Sequence, residues 1–149
     1  MNYSHEIEID LPREAVIALF DNAENMKKWQ PGLISYEFLE GEPGKEGSTM
    51  EMVFERKKGK TMKLKETMLK NNLPDEMHTS YETKGVYNIQ KNYFSEMSPD
   101  KTLWTSESEF QMEGIGMKLI GFLMPGAFKK QSYKYMVLFK EFAEKESKK

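Results

Sequence analysis

The stretch from Phe128 to the C-terminus places the strongest constraint on the fold. Its larger apolar residues recur at intervals of three, four and seven, at Phe128, Tyr135, Leu138, Phe139 and Phe142. That spacing is typical of one stripe of an amphipathic helix. Lysines and glutamates take much of the remaining face. A helix this long and one-sided needs a broad apolar surface to lie on, so we expect the rest of the chain to supply one.

Upstream of this helix, residues 117–124 (MKLIGFLM) are apolar almost throughout, and Pro125-Gly126 follows them. A proline removes a backbone donor and crowds the preceding turn. We therefore expect a kink or break there, with a helical piece that begins near Gly126. Such a break would let the region between Gly114 and Gly126 move as a gate.

The chain opens with a predicted strand and two short helices. Residues 3–10 alternate between apolar and polar, as in a half-buried strand. Arg13 to Phe20 predicts a short helix that follows Leu11-Pro12. Asp21 or Asn22 is placed to cap a second short helix, which is expected to end at Trp29.

Between Leu33 and Met112 the pattern predicts about six antiparallel strands. Segments of alternating polarity are separated by turn-forming sequences. Residues 48–56 give the cleanest alternation, whereas residues 77–97 leave the two faces of their strands undecided. The expected fold class is α+β, with a sheet of about seven strands covered on one face by the long C-terminal helix. One domain is expected over residues 1–149.

Composition excludes several classes of protein. With 38% hydrophobic and 31% charged residues, the 149-residue chain is neither disordered nor membrane-like by composition, and no transmembrane segment is expected. The absence of cysteine removes disulfides and thiolate metal sites. A formal charge of −2, with a basic run only at residues 56–60 apart from the last helix, argues against nucleic acid as the partner. We expect no metal and no cofactor, a cytoplasmic location, and a monomer or weak dimer.

The sequence resembles the START-like (SRPBCC, helix-grip) superfamily, in its polyketide cyclase/dehydrase branch. The resemblance is carried by the opening strand followed by residues 11–16 (LPREAV), by residues 25–31 with Trp29, by the strand meander and by the closing helix. It implies a curved sheet wrapped around the terminal helix, with a cavity for apolar or amphipathic ligands between them. Members include carriers, receptors, cyclases and chaperone activators, so the resemblance does not decide the function.

The inward faces of the predicted strands suggest the wall of that cavity. Several of the twelve methionines fall on these faces, where they indicate either an adaptable ligand cavity or ordinary core filling. Serines beside Trp104 would be able to donate hydrogen bonds. The predicted lining residues are Met52, Phe54, Glu66, Met68, Tyr81, Trp104, Ser106, Phe110, Met124, Phe128 and Tyr135.

Three residues are candidates for acid–base chemistry: Glu66, His78 and Tyr81. Glu66 stands between Leu64 and Met68 on an apolar strand face, where a carboxylate needs a partner or a proton. It is either a polar anchor or general acid for a ligand, or a residue turned outward by a bulge or paired with a lysine. The other histidine, His5, is expected to be structural.

Three functions remain open from the sequence. The leading hypothesis is a non-enzymatic protein that binds or carries a small hydrophobic or amphipathic molecule, such as a lipid, an aromatic compound or a polyketide. The second is a cyclase or dehydratase that uses an acid or base in the cavity. The third is an interaction module like the chaperone activators, which would need an exposed apolar patch outside the cavity.

Overall fold

A computed structural model describes residues 2–55, 59–114 and 125–149. Its seven strands and its helices follow the predicted order, with a short 3-10 turn at Ala23–Asn25 before the second helix. The strands are β1 (Asn2–Ile9), β2 (Leu33–Glu40), β3 (Thr49–Glu55), β4 (Thr61–Asn72), β5 (Glu76–Thr83), β6 (Val86–Ser98) and β7 (Lys101–Met112). The helices are α1 (Arg13–Phe20), α2 (Met26–Trp29) and α3 (Pro125–Glu146).

The strands form one antiparallel sheet in the order β1-β7-β6-β5-β4-β3-β2. From β2 to β7 every neighbour in the sheet is also the neighbour in sequence, and β1 closes the far edge by pairing with β7. The α+β helix-grip architecture expected from the sequence is confirmed. Short connections between antiparallel strands account for this meander.

The helical corner between β1 and β2 is set by local chemistry. Asn22 caps the 3-10 turn, since its Oδ1 accepts a hydrogen bond from the backbone N–H of Glu24 at 3.0 Å. Gly32 then turns the chain into β2 with φ of +82°, a conformation that favours glycine. Its carbonyl accepts a 2.7 Å bond from the N–H of Glu55, and a Cβ there would lie 3.0 Å from the Glu55 oxygen.

The buried apolar residues form two separate clusters. The first lies where α1 and α3 meet β1, β6 and β7, and has Phe94, Trp104 and Phe139 at its centre. The second lies at the other end of the sheet, where Met26 of α2 packs with β2 and β3 around Met52. A core divided in this way leaves unfilled space between its two halves.

Helix α3 is fastened to the edge strand β1 by polar contacts. Tyr3 Oη donates to the carbonyl of Phe128 at 3.1 Å, and Lys140 Nζ donates to the carbonyl of Glu8 at 2.6 Å. His5 Nε2 lies 2.8 Å from the carbonyl oxygen of Lys129, which agrees with its expected structural role. These contacts hold the helix across the concave face of the sheet.

The buried side of α3 differs in detail from the predicted stripe. Met136, Phe139 and Ala143 are its most buried residues, while Tyr135 and Leu138 flank them with partial exposure. The helix begins at Pro125, one residue from the predicted start. The gate was expected between Gly114 and Gly126. Residues 115–124 of that region, which include the predicted lining residue Met124, lie outside the described residues.

Candidate functional site

A pocket of about 1540 Å³ lies between the concave face of the sheet and helix α3. It occupies the space between the two apolar clusters, and residues of α2 and of strands β3 to β7 contribute to its wall. Pockets of this kind, mostly apolar with a few polar groups, are the usual form of small-molecule sites.

Every predicted lining residue that the structure describes faces this pocket. The sheet supplies most of them, and α3 supplies Phe128 and Tyr135. Their role as ligand contacts remains a prediction. The residues concerned are Met52, Phe54, Glu66, Met68, Tyr81, Trp104, Ser106, Phe110, Phe128 and Tyr135.

Glu66 points into the pocket and is hydrogen-bonded to Tyr81, its cross-strand neighbour on β5. Neither of the alternatives raised from the sequence applies, because no bulge turns Glu66 outward and no ion pair with a lysine forms within the described residues. Its side chain can be reached from the pocket yet is otherwise surrounded by protein atoms.

The protonation of this pair follows from its surroundings. Burial raises the pKa of Glu66, and the hydrogen bond from Tyr81 opposes that shift. Burial and the neighbouring Glu66 carboxylate raise the pKa of Tyr81 well above its ordinary value. The Tyr81 hydroxyl proton is used in its bond to Glu66, so a proton on the Glu66 carboxyl group is the donor that the pair can offer to a ligand oxygen.

His78 belongs to the opposite face of the sheet. Its Nε2 lies 3.2 Å from Glu76 Oε2, and its ring packs against Tyr93 with a centroid distance of 5.5 Å. Because strand residues alternate between faces, His78 points away while its neighbour Met77 faces the pocket. The structure therefore brings together only two of the three acid–base candidates, Glu66 and Tyr81.

Three carboxamides on β6 also face the pocket and were missed from the sequence: Asn88, Gln90 and Asn92. Asn88 and Asn92 are only 6% and 2% exposed. Asn92 Oδ1 accepts a 2.9 Å bond from Trp104 Nε1, and Asn88 Nδ2 donates to the Glu109 carbonyl at 3.0 Å. The signal in the sequence was the recurrence of a carboxamide at every second residue of β6, but the faces of this strand were left undecided.

Charged side chains of both signs line the pocket at exposed positions. They are Asp21, Lys84, Lys130 and Lys134. Within residues 2–55, 59–114 and 125–149, no three acidic or histidine side chains converge to hold a metal ion. No helix in those same ranges is long and apolar enough to cross a membrane.

Two exposed apolar side chains on the edge strand β2 have a local cause. Ile34 and Leu39 are 45% and 47% exposed, and each falls where the register with β3 shifts. A β-bulge leaves its extra residue unpaired, which turns these side chains out. They lie five residues apart, roughly 16 Å along a strand, and so do not form one continuous patch.

The geometry defines a helix-grip protein with a pocket between its sheet and its long helix, and comparison with known proteins gives its family. Residues 1–136 match the family described as "Polyketide cyclase / dehydrase and lipid transport". The chain belongs to that family, within the START-like superfamily that the sequence resembles. No curated protein matches the chain.

Solved structures share the fold at low sequence identity. The Zhui aromatase/cyclase from Streptomyces sp. R1128 is 10% identical, with a TM-score of 0.79 over 97% of this chain and 93% of that chain. The protein TTHA0849 from Thermus thermophilus is 15% identical, with a TM-score of 0.78 over 99% of both chains. Ara h 8.0201 is 14% identical, with a TM-score of 0.76 over 96% of this chain and 97% of that chain. At these identities the likeness shows the fold alone.

Proposed function

We propose that this protein binds a small hydrophobic or amphipathic molecule in the pocket between the sheet and α3, as a carrier or binding protein. The observation that carries this proposal is the divided core. Two apolar clusters face each other across about 1540 Å³ of space. Native interiors are otherwise closely packed, and unfilled apolar volume forfeits dispersion contacts. A ligand that fills the space restores those contacts.

The flexible lining on one side of the pocket supports the same proposal. Met50, Met52, Met62 and Met68 bring four thioether side chains to the wall on β3 and β4. Unbranched methionine adapts its shape to irregular apolar partners. Such a wall can bind apolar ligands that differ in shape, as a carrier of related molecules requires.

The proposal is tested with the fluorescent apolar probe N-phenyl-1-naphthylamine. The wild-type protein should give a saturable increase in probe fluorescence with one probe bound per chain. Gln90→Trp places an indole in the pocket and should weaken probe binding relative to the wild type. Gln111→Trp makes the same substitution at an exposed β7 position whose side chain points away from the pocket, and should bind the probe as the wild type does. Equal binding by both variants would place the probe elsewhere and contradict the proposal.

A second function, acid–base catalysis on a bound carbonyl compound, is favoured by the pairing of Glu66 with Tyr81. Both groups are titratable and face the pocket, as a cyclase or dehydratase mechanism requires. A protonated Glu66 would donate to a carbonyl oxygen while Tyr81 orients it.

Glu66→Gln separates the two functions. The variant retains the size of the side chain and its ability to bind a ligand oxygen, but it has no proton to transfer. Probe binding should persist in both cases. Turnover of aromatic or polyketide substrates by the wild type, lost in Glu66→Gln, would establish the enzyme; turnover that the variant retains would remove Glu66 from the mechanism.

A further inference from the structure

Six of the polar side chains on the pocket wall form one continuous path across the sheet. Glu66 on β4 stands opposite Tyr81 on β5, and Tyr81 stands opposite Asn88 on β6. Asn88, Gln90 and Asn92 are alternate residues of β6, so their side chains follow one another on one face. Asn92 in turn stands opposite Ser106 on β7. We call these six residues the central polar patch: Glu66, Tyr81, Asn88, Gln90, Asn92 and Ser106.

Each end of the central polar patch meets an apolar cluster. Glu66 pairs across the strands with Met50, which belongs to the cluster at the α2 end. At the other end, the next inward residues after Asn92 and Ser106 are Phe94 and Trp104 of the first cluster. The wall therefore runs from apolar to polar and back to apolar along the length of the pocket.

The hydrogen-bonding capacity of the patch is only partly used within the protein. Asn92 and Asn88 each make a bond through one amide atom, to Trp104 Nε1 and to the Glu109 carbonyl. The side chains of Gln90 and Ser106 have no hydrogen-bond partner among the described residues, and both face the pocket. Polar groups removed from bulk water are destabilising unless they find partners. The space in front of Gln90 and Ser106 therefore suits a ligand that offers hydrogen-bonding atoms there.

The charges around the pocket indicate a neutral ligand group at this point. Glu66 is the carboxyl group of the patch, and the lysines that line the pocket lie on α3 and at Lys84, at exposed positions. A ligand carboxylate at the patch would meet amides, hydroxyls and an acid, with no cation of the described residues beside it. Neutral oxygens, such as those of ketones and hydroxyls, match amide and hydroxyl partners.

We propose that the ligand of this pocket has a neutral, oxygen-bearing middle held by the central polar patch, between two apolar ends that pack on the two clusters. This inference rests on the proposed binding function and adds the chemical class of the ligand. A plain hydrocarbon chain would leave the patch without partners, and a fatty acid would carry its charge to an end where the wall is apolar.

The test uses a matched pair of probes, benzophenone and diphenylmethane. Both consist of two phenyl rings joined through one carbon, and only benzophenone has a carbonyl oxygen at that carbon. The dissociation constant of each is measured by displacement of N-phenyl-1-naphthylamine. The quantity of interest is the preference for benzophenone, expressed as the ratio of the two dissociation constants, because this ratio cancels effects common to both probes.

The variant Gln90→Met/Ser106→Ala removes the two unpartnered polar groups with little change in volume. Loss of hydrogen bonds to the ketone should lower the preference for benzophenone by about tenfold, with diphenylmethane binding changed less than about twofold. Gln111→Met, on the outer face, is the matched control and should leave the ratio at the wild-type value.

The outcomes separate this inference from the proposed function. An unchanged ratio in the double variant, with both probes still bound in the pocket, would overturn the polar middle while leaving the binding function intact. Failure of both probes and of N-phenyl-1-naphthylamine to bind wild-type protein would overturn both proposals.

A second measurement uses the wild-type protein alone, so it does not depend on whether a variant folds. Benzophenone attaches covalently to nearby C–H groups under near-ultraviolet light, so the labelled peptide reports where the ketone lies. We expect label on Met68 or Met77, which border the patch. Met97 is 49% exposed on the surface and serves as the internal control. Label at Met97 in place of the pocket methionines would contradict the proposed position.

Discussion

The packing of Phe139 gives the sharpest test of how the first apolar cluster is built. Its side chain is fully buried, and its ring lies edge-on to Phe20, Trp29 and Trp104 with centroid distances of 5.4, 5.1 and 5.4 Å. Truncating a buried phenylalanine to alanine costs about 3–5 kcal/mol through lost transfer free energy and the cavity left behind. Edge-to-face contacts with three rings place Phe139→Ala in the upper part of that range, at about 4 kcal/mol.

Urea unfolding followed by tryptophan fluorescence measures this loss. With a denaturant slope of about 2 kcal/mol per molar, the midpoint should fall by about 2 M. Phe38→Ala is the matched control, because the same atoms are removed from a ring that is 48% exposed, and it should cost less than about 1 kcal/mol. Equal losses in the two variants would show that Phe139 is not packed among the three rings.

Two further predictions concern the polar groups of the pocket. Because burial raises the pKa of Glu66, the folded protein binds more protons than the unfolded chain between the ordinary and the raised pKa, and its free energy of unfolding falls as the pH rises through that window. Urea titrations from about pH 4 to about pH 8 should therefore show the wild type losing stability relative to Glu66→Gln as the pH rises. The wild type should not lose stability relative to Glu109→Gln, which alters an exposed carboxylate. A difference between wild type and Glu66→Gln that stays constant at all pH values would contradict this. Asn92→Leu leaves the buried Trp104 Nε1 without its acceptor and should cost about 1–3 kcal/mol in thermal unfolding, so a loss no larger than that of Gln111→Leu would count against the bond.

Much of the fold could be predicted because the local signals agree with one another. The first helix occupies Arg13–Phe20 as predicted, and Asn22 caps the turn that follows it. The inward faces of β3 and β4 carry the methionines that alternation assigned to them. On α3, however, Met136 and Ala143 lie deeper than Tyr135. Residue size and spacing define a helix face, but the exact centre of that face is set by the sheet beneath it.

Other parts of the structure depend on contacts distant in sequence. Asn71 and Asn72 are residue types that favour turns, yet they end β4. Asn71 pairs with Met77 of β5, and its Nδ2 donates to the Gly44 carbonyl at 2.6 Å. The carboxamides of β6 face inward at a part of the wall that borders the open space of the pocket. Neither the contacts of Asn71 nor the pocket in front of the β6 carboxamides can be read from the local sequence.

Native mass spectrometry of the freshly purified protein tests whether the pocket holds a small molecule. We expect a discrete added mass that disappears on denaturation and can be identified in an organic extract. Gln90→Trp should carry less of that mass than Gln111→Trp does. A bare chain mass for the wild type, unchanged after incubation with N-phenyl-1-naphthylamine, would contradict the claim.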